Sequence, residues 1–191
     1  AACVREEDRA LVAACVREEA WALRLASHTL AADADFVRAA MQGSASVLRY
    51  SQCAARDDFV LRAIEQDGQV LRFADPRLRS NRNFLRKAAA RNCQCLAFVA
   101  QAELDDPDFL AQLVEEDPGC FRHAPERVRG CRELSLPLLR RCGAALRHAS
   151  EAMRADREVV LEALEQDAWA FTAAARRLQA SRRFVLDAVK R

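Results

Sequence analysis

Pairs of apolar residues recur along this chain at an almost constant interval, and this period constrains the fold more than any other feature. Successive pairs begin 25, 23, 25, 25, 25, 25 and 25 residues apart. A fixed period of this length indicates stacked structural repeats, and it predicts seven repeats and the start of an eighth. The pairs are Leu11-Val12, Phe36-Val37, Phe59-Val60, Phe84-Leu85, Phe109-Leu110, Leu134-Ser135, Val159-Val160 and Phe184-Val185.

Each pair lies near the start of a predicted helix. Further apolar residues follow four and five positions after the first member of the pair, as at Ala63-Ile64, and this spacing marks one face of a helix. Three positions before most pairs stands a side-chain oxygen that can accept hydrogen bonds from the free N–H groups of the first turn. We therefore expect capped helices of about ten residues. The predicted caps are Asp8, Asp33, Asn81, Asp106, Asp156 and Ser181.

A second apolar segment follows in every repeat, as in Leu71-Arg72-Phe73-Ala74. Gly68, Pro118 and Gly143 share the position that ends the first helix, so a second, shorter helix and one further helical turn complete the repeat. A single hairpin of this size cannot bury its apolar face, whereas stacked copies can. We expect an all-α fold, a right-handed α-solenoid that forms a single elongated domain over residues 1–191. Its core should include Phe36, Phe59, Phe84, Phe109 and Phe184.

These positions resemble the repeat of a family known as domain of unknown function 4116. The family pattern runs from an acidic cap through an apolar pair, an alanine and a glycine to a segment Ala-Leu-basic-aromatic-Ala-Ser, and residues 145–156 and 156–171 follow it closely. The resemblance covers nearly the whole chain. It implies a helical repeat protein, it implies no enzyme activity, and it supplies no catalytic residues. The fifth and sixth repeats depart from the pattern at Pro118, Cys131, Ser135 and Pro137.

Composition limits the setting of the protein. Lysine and arginine number 30 against 28 aspartate and glutamate residues, and a net charge of +2 argues against a general nucleic-acid binder. Eight irregularly spaced cysteines favour an intracellular, reducing compartment over a disulfide scaffold. No apolar run is long enough to predict a membrane span. Because the repeat pattern is cut at both ends, we expect the chain to belong to a longer array and a larger assembly.

Candidate catalytic and metal-binding residues have structural explanations in the repeat. His123 and His148 occupy the position held by Tyr50 and Phe73 in other repeats, so we expect half-buried rings there and a surface site for His28. Cys93 and Cys95 form a Cys-x-Cys motif, which is only a weak indication of a zinc site. The remaining cysteines that we considered are Cys120, Cys131 and Cys142. We expect no catalytic centre, metal, disulfide, cofactor or small-molecule substrate.

One polar position recurs inside the second apolar segment. An arginine stands there between core residues in five of the seven complete repeats, and it must point away from the core. Two interpretations remain open: a solvated face paired with nearby carboxylates, or a row that grips an acidic protein segment or, less favourably, phosphates. Tryptophans share a neighbouring position near the two ends. The predicted partner-binding residues are Arg24, Arg49, Arg72, Arg122, Arg147, Trp21 and Trp169.

Two functional classes follow from the repeat architecture. The first is a non-enzymatic scaffold or protein–protein interaction subunit, a structural component of a larger assembly that binds other protein chains. The alternative is an RNA-binding repeat protein, against which the near-neutral charge argues. The duplicated heptapeptide at residues 1–7 and 13–19 has no physical explanation in this scheme.

Overall fold

A computed structural model describes the backbone of residues 6–190 and the side chains of residues 9–190. Every regular element in that range is a helix and none is a strand, which confirms the all-α prediction. Most of the first heptapeptide copy lies outside the described residues. The second copy forms the end of the first helix and the residue that follows it.

An α-helix opens each repeat at the predicted position. Asp33, Asp106 and Asp156 each accept hydrogen bonds from two backbone N–H groups of the first turn, and Asn81 and Ser181 from one, so these five predicted caps are confirmed. The prediction for Asp8 is wrong, because the first helix begins earlier and contains that residue. The first helices are Glu6–Glu18, Ala34–Met41, Asp57–Gln66, Arg82–Arg91, Pro107–Glu116, Arg132–Arg141, Arg157–Leu164 and Arg182–Val189.

The second element of each repeat is shorter and, in six of seven cases, a 3₁₀ helix. A 3₁₀ helix has three residues per turn, so residues three apart lie on one line. Gly68 and Leu71 therefore share the buried line of one such helix, while Gln69 and Arg72 share an exposed line. These elements are Ala20–Leu25, Ala45–Tyr50, Gly68–Phe73, Cys93–Phe98, Pro118–His123 and Gly143–His148, with the α-helical turn Ala170–Ala173 in the seventh repeat.

A single further turn completes each repeat, as predicted. It is α-helical in six repeats and 3₁₀ in the shortened second repeat. The seven turns are His28–Ala32, Gln52–Ala55, Pro76–Arg79, Gln101–Leu104, Glu126–Gly130, Glu151–Arg154 and Arg176–Gln179.

The chain forms two compact units, Ala1–Val99 and Ala100–Arg191. Within the first unit the helix Asp57–Gln66 packs against Arg82–Arg91, and within the second Arg132–Arg141 packs against Arg157–Leu164. The short helices of successive repeats also pack together inside each unit. The five predicted core phenylalanines are all buried, with at most 4% of their surface exposed: Phe36, Phe59, Phe84, Phe109 and Phe184.

Residues that depart from the family pattern leave these elements regular. Pro118 begins a short helix of the usual length, where its missing N–H costs little. Ser135 is fully buried and donates a hydrogen bond to the carbonyl of Val128. The sixth first helix continues past Pro137 to Arg141. The fifth and sixth repeats therefore contain the same order of helices as their neighbours in the described part of the chain.

Candidate functional site

The recurrent arginine occupies the fifth position of the short helix in five repeats. The fourth residue of each helix, such as Leu71 beside Arg72, lies in the core. A 3₁₀ helix turns about 120° per residue, so the fifth side chain points away from the core. All five arginines are exposed, as predicted: Arg24, Arg49, Arg72, Arg122 and Arg147. We call them the row arginines.

No row arginine forms an ion pair with a carboxylate of the described residues. Ion pairs are frequent elsewhere, and they link successive repeats: Arg9 with Asp33 at 2.8 Å, Arg91 with Glu65 at 2.6 Å, and Arg140 with Glu162 at 2.8 Å. Arginines of the first helices and turns thus use the nearby acids. The row arginines are exposed and take part in no such pair among the described residues.

Aromatic rings hold two row arginines in the first unit. The guanidinium carbon of Arg49 lies 5.3 Å from the ring centres of both Tyr50 and Phe73. The corresponding carbon of Arg72 lies 4.5 Å from the centre of Phe73 and 6.0 Å from that of Phe98. Each of these arginines therefore contacts the ring of its own repeat and the ring of the next. Cation–π attraction at this range stabilises the side chain in one orientation.

Imidazoles replace these rings in the second unit. His123 and His148 are half-buried, as predicted, and follow Arg122 and Arg147 directly in sequence. The Nε of Arg147 donates a hydrogen bond of 3.0 Å to Nε2 of His148. The Nε2 atom of His123 is buried and has no hydrogen-bond partner in the described part of the chain. The second unit thus offers the same row position beside a group that can gain a proton.

Burial and positive charge both act on these imidazoles. Desolvation, and next the charge of Arg122, hold the pKa of His123 below its ordinary value of 6.5. Desolvation, followed by the charges of Arg147 and Arg122, lowers the pKa of His148 in the same way. Asp117 opposes both shifts, but more weakly. Both rings are consequently neutral near pH 7 in the free protein.

The predicted tryptophans lie on the surface. Trp21 is 50% exposed and Trp169 is 79% exposed. Trp21 stands three residues before Arg24 in a 3₁₀ helix, so the two side chains lie on one line of that helix. Trp169 precedes the helical turn Ala170–Ala173, whose repeat carries Thr172 at the row position. Trp21 therefore shares its surface with a row arginine, whereas Trp169 stands in a repeat without one.

The described cysteines are free thiols, and the buried ones lie in the core. Burial raises the pKa of Cys95 to about 12, which leaves this thiol protonated and unreactive near pH 7. Cys131 and Cys142 flank the helix Arg132–Arg141, as expected. No cluster of three or more possible metal ligands occurs among the described residues.

A surface cavity of about 760 Å³ in the second unit also lacks the groups of a catalytic pair. Glu151 is the one carboxylate that lines it, and no imidazole or thiol does. Its other polar side chains are Arg154, Thr172, Arg176, Arg177 and Gln179. His28 is exposed, as predicted, and its Nδ1 lies 3.3 Å from the side-chain amide of Gln52. No helix in the described range is both long and apolar enough to span a membrane.

Ring contacts are the part of the site that the sequence analysis missed. The apolar pattern predicted a structural role for the ring position and left two interpretations open for the arginine position, with no link between the two positions. The signal was present in the sequence, since an arginine directly precedes the ring in both Arg49-Tyr50 and Arg72-Phe73. Because a 3₁₀ helix separates these neighbours by about a third of a turn, the arginine side chain can reach across to lie over the ring.

Comparison with known proteins supports the repeat and adds no activity. The model of the family described as "Domain of unknown function (DUF4116)" matches residues 57–102 and 131–179. Each match lies within the array of 25-residue repeats, one in each compact unit apart from the last three residues of the first segment. Neither the curated proteins nor the solved structures give a significant match.

Proposed function

Because the chain carries the repeat of the domain of unknown function 4116 family, we propose that it is a non-enzymatic helical-repeat scaffold. In this role it is a structural subunit of a larger intracellular assembly. The row arginines bind an acidic segment of a partner protein. The observation that carries the proposal is that all five are exposed and none has a carboxylate partner among the described residues.

Arginine chemistry favours a carboxylate-bearing partner. The guanidinium group is always charged and presents several donors in a plane that matches the two oxygens of a carboxylate. Arginine and tryptophan are also enriched where contacts carry most of the binding energy of an interface. Arg24 and Trp21 offer both groups on one line of a single short helix.

Ring contacts support binding at Arg49 and Arg72. Tyr50 and Phe73 hold the Arg49 guanidinium before any partner arrives. A side chain that is already ordered loses less conformational entropy on binding, so more of the interaction energy remains for affinity. Arg49 and Arg72 nevertheless remain exposed residues.

Repetition of one packing arrangement supports a solenoid. In each unit a first helix packs on the first helix of the next repeat, and short helix packs on short helix. Such nearest-neighbour packing is the interaction that builds an α-solenoid, which displays one residue position repeatedly along a surface. A scaffold that binds an extended acidic segment uses this kind of periodic display.

An RNA-binding function is less well supported by the same contacts. Single-stranded RNA is commonly held by bases that stack on exposed aromatic rings. The rings of Tyr50, Phe73 and Phe98 are half-buried, and arginines lie over them. The net charge of +2 also provides little general attraction for phosphates.

Binding of a labelled acidic peptide tests the proposal. Fluorescence anisotropy would follow a peptide of alternating glutamate and serine as the full chain is added. We expect saturable binding that weakens at least about tenfold when Arg49→Glu and Arg72→Glu are combined, since each contact becomes a repulsion. The matched control is Arg62→Glu with Arg77→Glu, which makes the same charge change at exposed positions outside the row.

Two results would contradict the proposal. Unchanged peptide affinity after charge reversal of all five row arginines would show that the row is only solvated. Tighter binding of an RNA oligonucleotide, with an affinity that falls steeply with salt, would favour the alternative function. Circular dichroism of each variant shows whether the helices are retained.

A further inference from the structure

The second unit presents the row position in a form that responds to protons. Arg122 and Arg147 each precede an imidazole, and the short helices that carry the two pairs pack against each other. The first unit has Tyr50 and Phe73 at the corresponding positions, and neither of these rings can gain a positive charge. The two units therefore differ in the one chemical property that histidine adds near neutral pH.

A hydrogen bond ties the row arginine to the imidazole in the sixth repeat. The Nε–H of Arg147 donates to Nε2 of His148 over 3.0 Å, so the neutral ring must carry its proton on Nδ1. A second proton on this ring would occupy Nε2 and end the bond. Arg147 would then regain a donor for another acceptor.

The charged groups that act on the two imidazoles are mainly positive. Arg122, Arg129 and Asp117 act on both imidazoles. Arg147 acts on His148 as well, and the charge of His148 acts on His123, so that a proton on one ring disfavours a proton on the other. Arg129 is paired with Glu126, and Asp117 accepts the N–H of Gly119 at 2.8 Å. On the helices packed against the two short helices, Glu162 is paired with Arg140 and Glu115 with Arg141. Around the rings, the negative charge of Asp117 stands against the charges of Arg122, Arg129 and Arg147, so a protonated imidazole adds to an excess of positive charge.

We propose that Arg122, Arg147, His123 and His148 form a proton-coupled site for carboxylates of the acidic partner. This inference rests on the proposed function and adds its regulation. Each bound carboxylate supplies the counter-charge that a protonated imidazole needs, so binding takes up protons. Binding at this site strengthens as pH falls from about 7.5 to about 5.5, a range in which glutamate side chains remain ionised. The row arginines of the first unit bind without this dependence.

Two full-chain backgrounds separate the sites. Replacing Arg24, Arg49 and Arg72 by serine leaves the second-unit site, and replacing Arg122 and Arg147 by serine leaves the first-unit arginines. With the glutamate–serine peptide, we expect the first background to bind about 3- to 10-fold tighter at about pH 5.5 than at about pH 7.5. We expect the second background to change less than about twofold over the same range.

His123→Phe with His148→Phe provides the decisive variant. Phenylalanine is the residue at the same position in Phe73 and Phe98, so the ring's packing is retained while its proton site is lost. In the first background this pair of substitutions should abolish the difference in peptide affinity between about pH 5.5 and about pH 7.5. Nuclear magnetic resonance titration of the two imidazoles should show their pKa values rising when the peptide is bound.

Failure of this inference differs from failure of the proposed function. Peptide binding that needs Arg122 and Arg147 but has the same affinity at both pH values refutes the proton coupling and leaves the scaffold proposal intact. Binding that persists without any row arginine refutes both. Imidazole pKa values that stay constant on peptide binding refute the coupling even when a variant folds poorly.

Discussion

The two compact units place the same arginine position beside different rings. In Ala1–Val99, the rings of Tyr50, Phe73 and Phe98 hold guanidinium groups through cation–π contacts. In Ala100–Arg191, the imidazole of His148 accepts a hydrogen bond from Arg147. The backbone is alike in both, since the residues lie at the end of a six-residue 3₁₀ helix in each case. One scaffold position thus supports two kinds of arginine site.

The buried positions of the short helix are alike in the two units, whereas the half-buried ring position differs. The buried line of the short helix carries residues such as Leu71 in one unit and Leu146 in the other, and both are fully buried. The half-buried ring position tolerates both a benzene ring and an imidazole, because one edge of it reaches solvent. A different ring at that position changes the chemistry of the surface while the buried leucine beneath it is kept.

The largest expected effect tests whether the two units share one kind of core. Replacing Phe59 in the first unit or Phe109 in the second by alanine removes a side chain with 2% or 3% exposure. Each should lower the free energy of unfolding by about 3–5 kcal/mol, measured by urea denaturation. Leu25→Ala is the control, since that side chain is 78% exposed and should cost far less. Equal, small losses at both phenylalanines would contradict the common core.

Gly68 in the first unit and Gly143 in the second each lie so close to the backbone of the next repeat that a side chain would not fit without a shift. A Cβ at Gly143 would lie 2.2 Å from the carbonyl oxygen of Ala163, and one at Gly68 would lie 2.8 Å from the backbone nitrogen of Cys95. Gly143→Ala and Gly68→Ala should each destabilise by about 1–3 kcal/mol, with the larger loss at Gly143. Gly43→Ala is the control, because its nearest contact would be an ordinary 3.6 Å. Thermal denaturation of the three variants measures the order, and a neutral Gly143→Ala would show that the repeats can separate there.

The positions of the helices could be predicted from the sequence, whereas the 3₁₀ form of the short helices could not. The apolar period and the cap residues locate the helices because burial and free N–H groups act within a few residues of one another. The buried positions of Phe59 and Phe109 follow directly from that period. The 3₁₀ form of the short helices does not follow, since the same apolar spacing over six residues also fits an α-helical turn. The error at Asp8 has a local origin, because the first helix extends beyond the usual starting point.

The candidate site was predictable only in part. Its arginines were identified because a charged side chain between two core residues must leave the core. Their lack of carboxylate partners was not predictable, since acids such as Glu65 and Glu162 are abundant and their choice of Arg91 and Arg140 depends on packing between repeats. The ring contacts of Arg49 likewise join residues of two repeats, 24 positions apart in the case of Phe73.

Capping differs between repeats of the second unit and gives a test of intermediate size. Asp156 caps its helix through two N–H groups, whereas Cys131 stands at the same position and makes no side-chain cap. The backbone angles at Cys131, φ −100° and ψ 123°, are close to those at Asp156, −81° and 120°. Cys131→Asp should therefore stabilise the protein by about 0.5–1 kcal/mol, and Asp156→Ala should destabilise it by about 1 kcal/mol.

Chemical denaturation near pH 7 measures both cap variants, and Cys131→Ala is the matched control. No gain at Cys131→Asp relative to that alanine variant would mean that the helix start in the sixth repeat is satisfied in another way. In the first unit the backbone N–H of Phe36 holds the pKa of Asp33 below its usual 3.8. The stability from that cap should accordingly persist above pH 3.8 and be lost as pH falls through the lower value of the folded state.

Acid sensitivity of the second unit is the smallest effect and the sharpest test of the comparison. Burial and neighbouring arginines hold the pKa values of His123 and His148 below 6.5, so the folded state favours the neutral rings. Protons bind the unfolded chain more readily, and the stability from these positions is therefore complete above about pH 6.5 and decreases as pH falls toward the lower pKa of the folded state. Urea midpoints between about pH 7.5 and about pH 5 should show this decrease in the natural chain and not in His123→Phe/His148→Phe. Saturating acidic peptide should oppose the decrease, because its carboxylates stabilise the protonated rings of the folded state.

A decrease of equal size in the phenylalanine variant would assign the acid sensitivity to carboxylates elsewhere in the protein. The two units would then differ only in the contacts that their rings make with the row arginines.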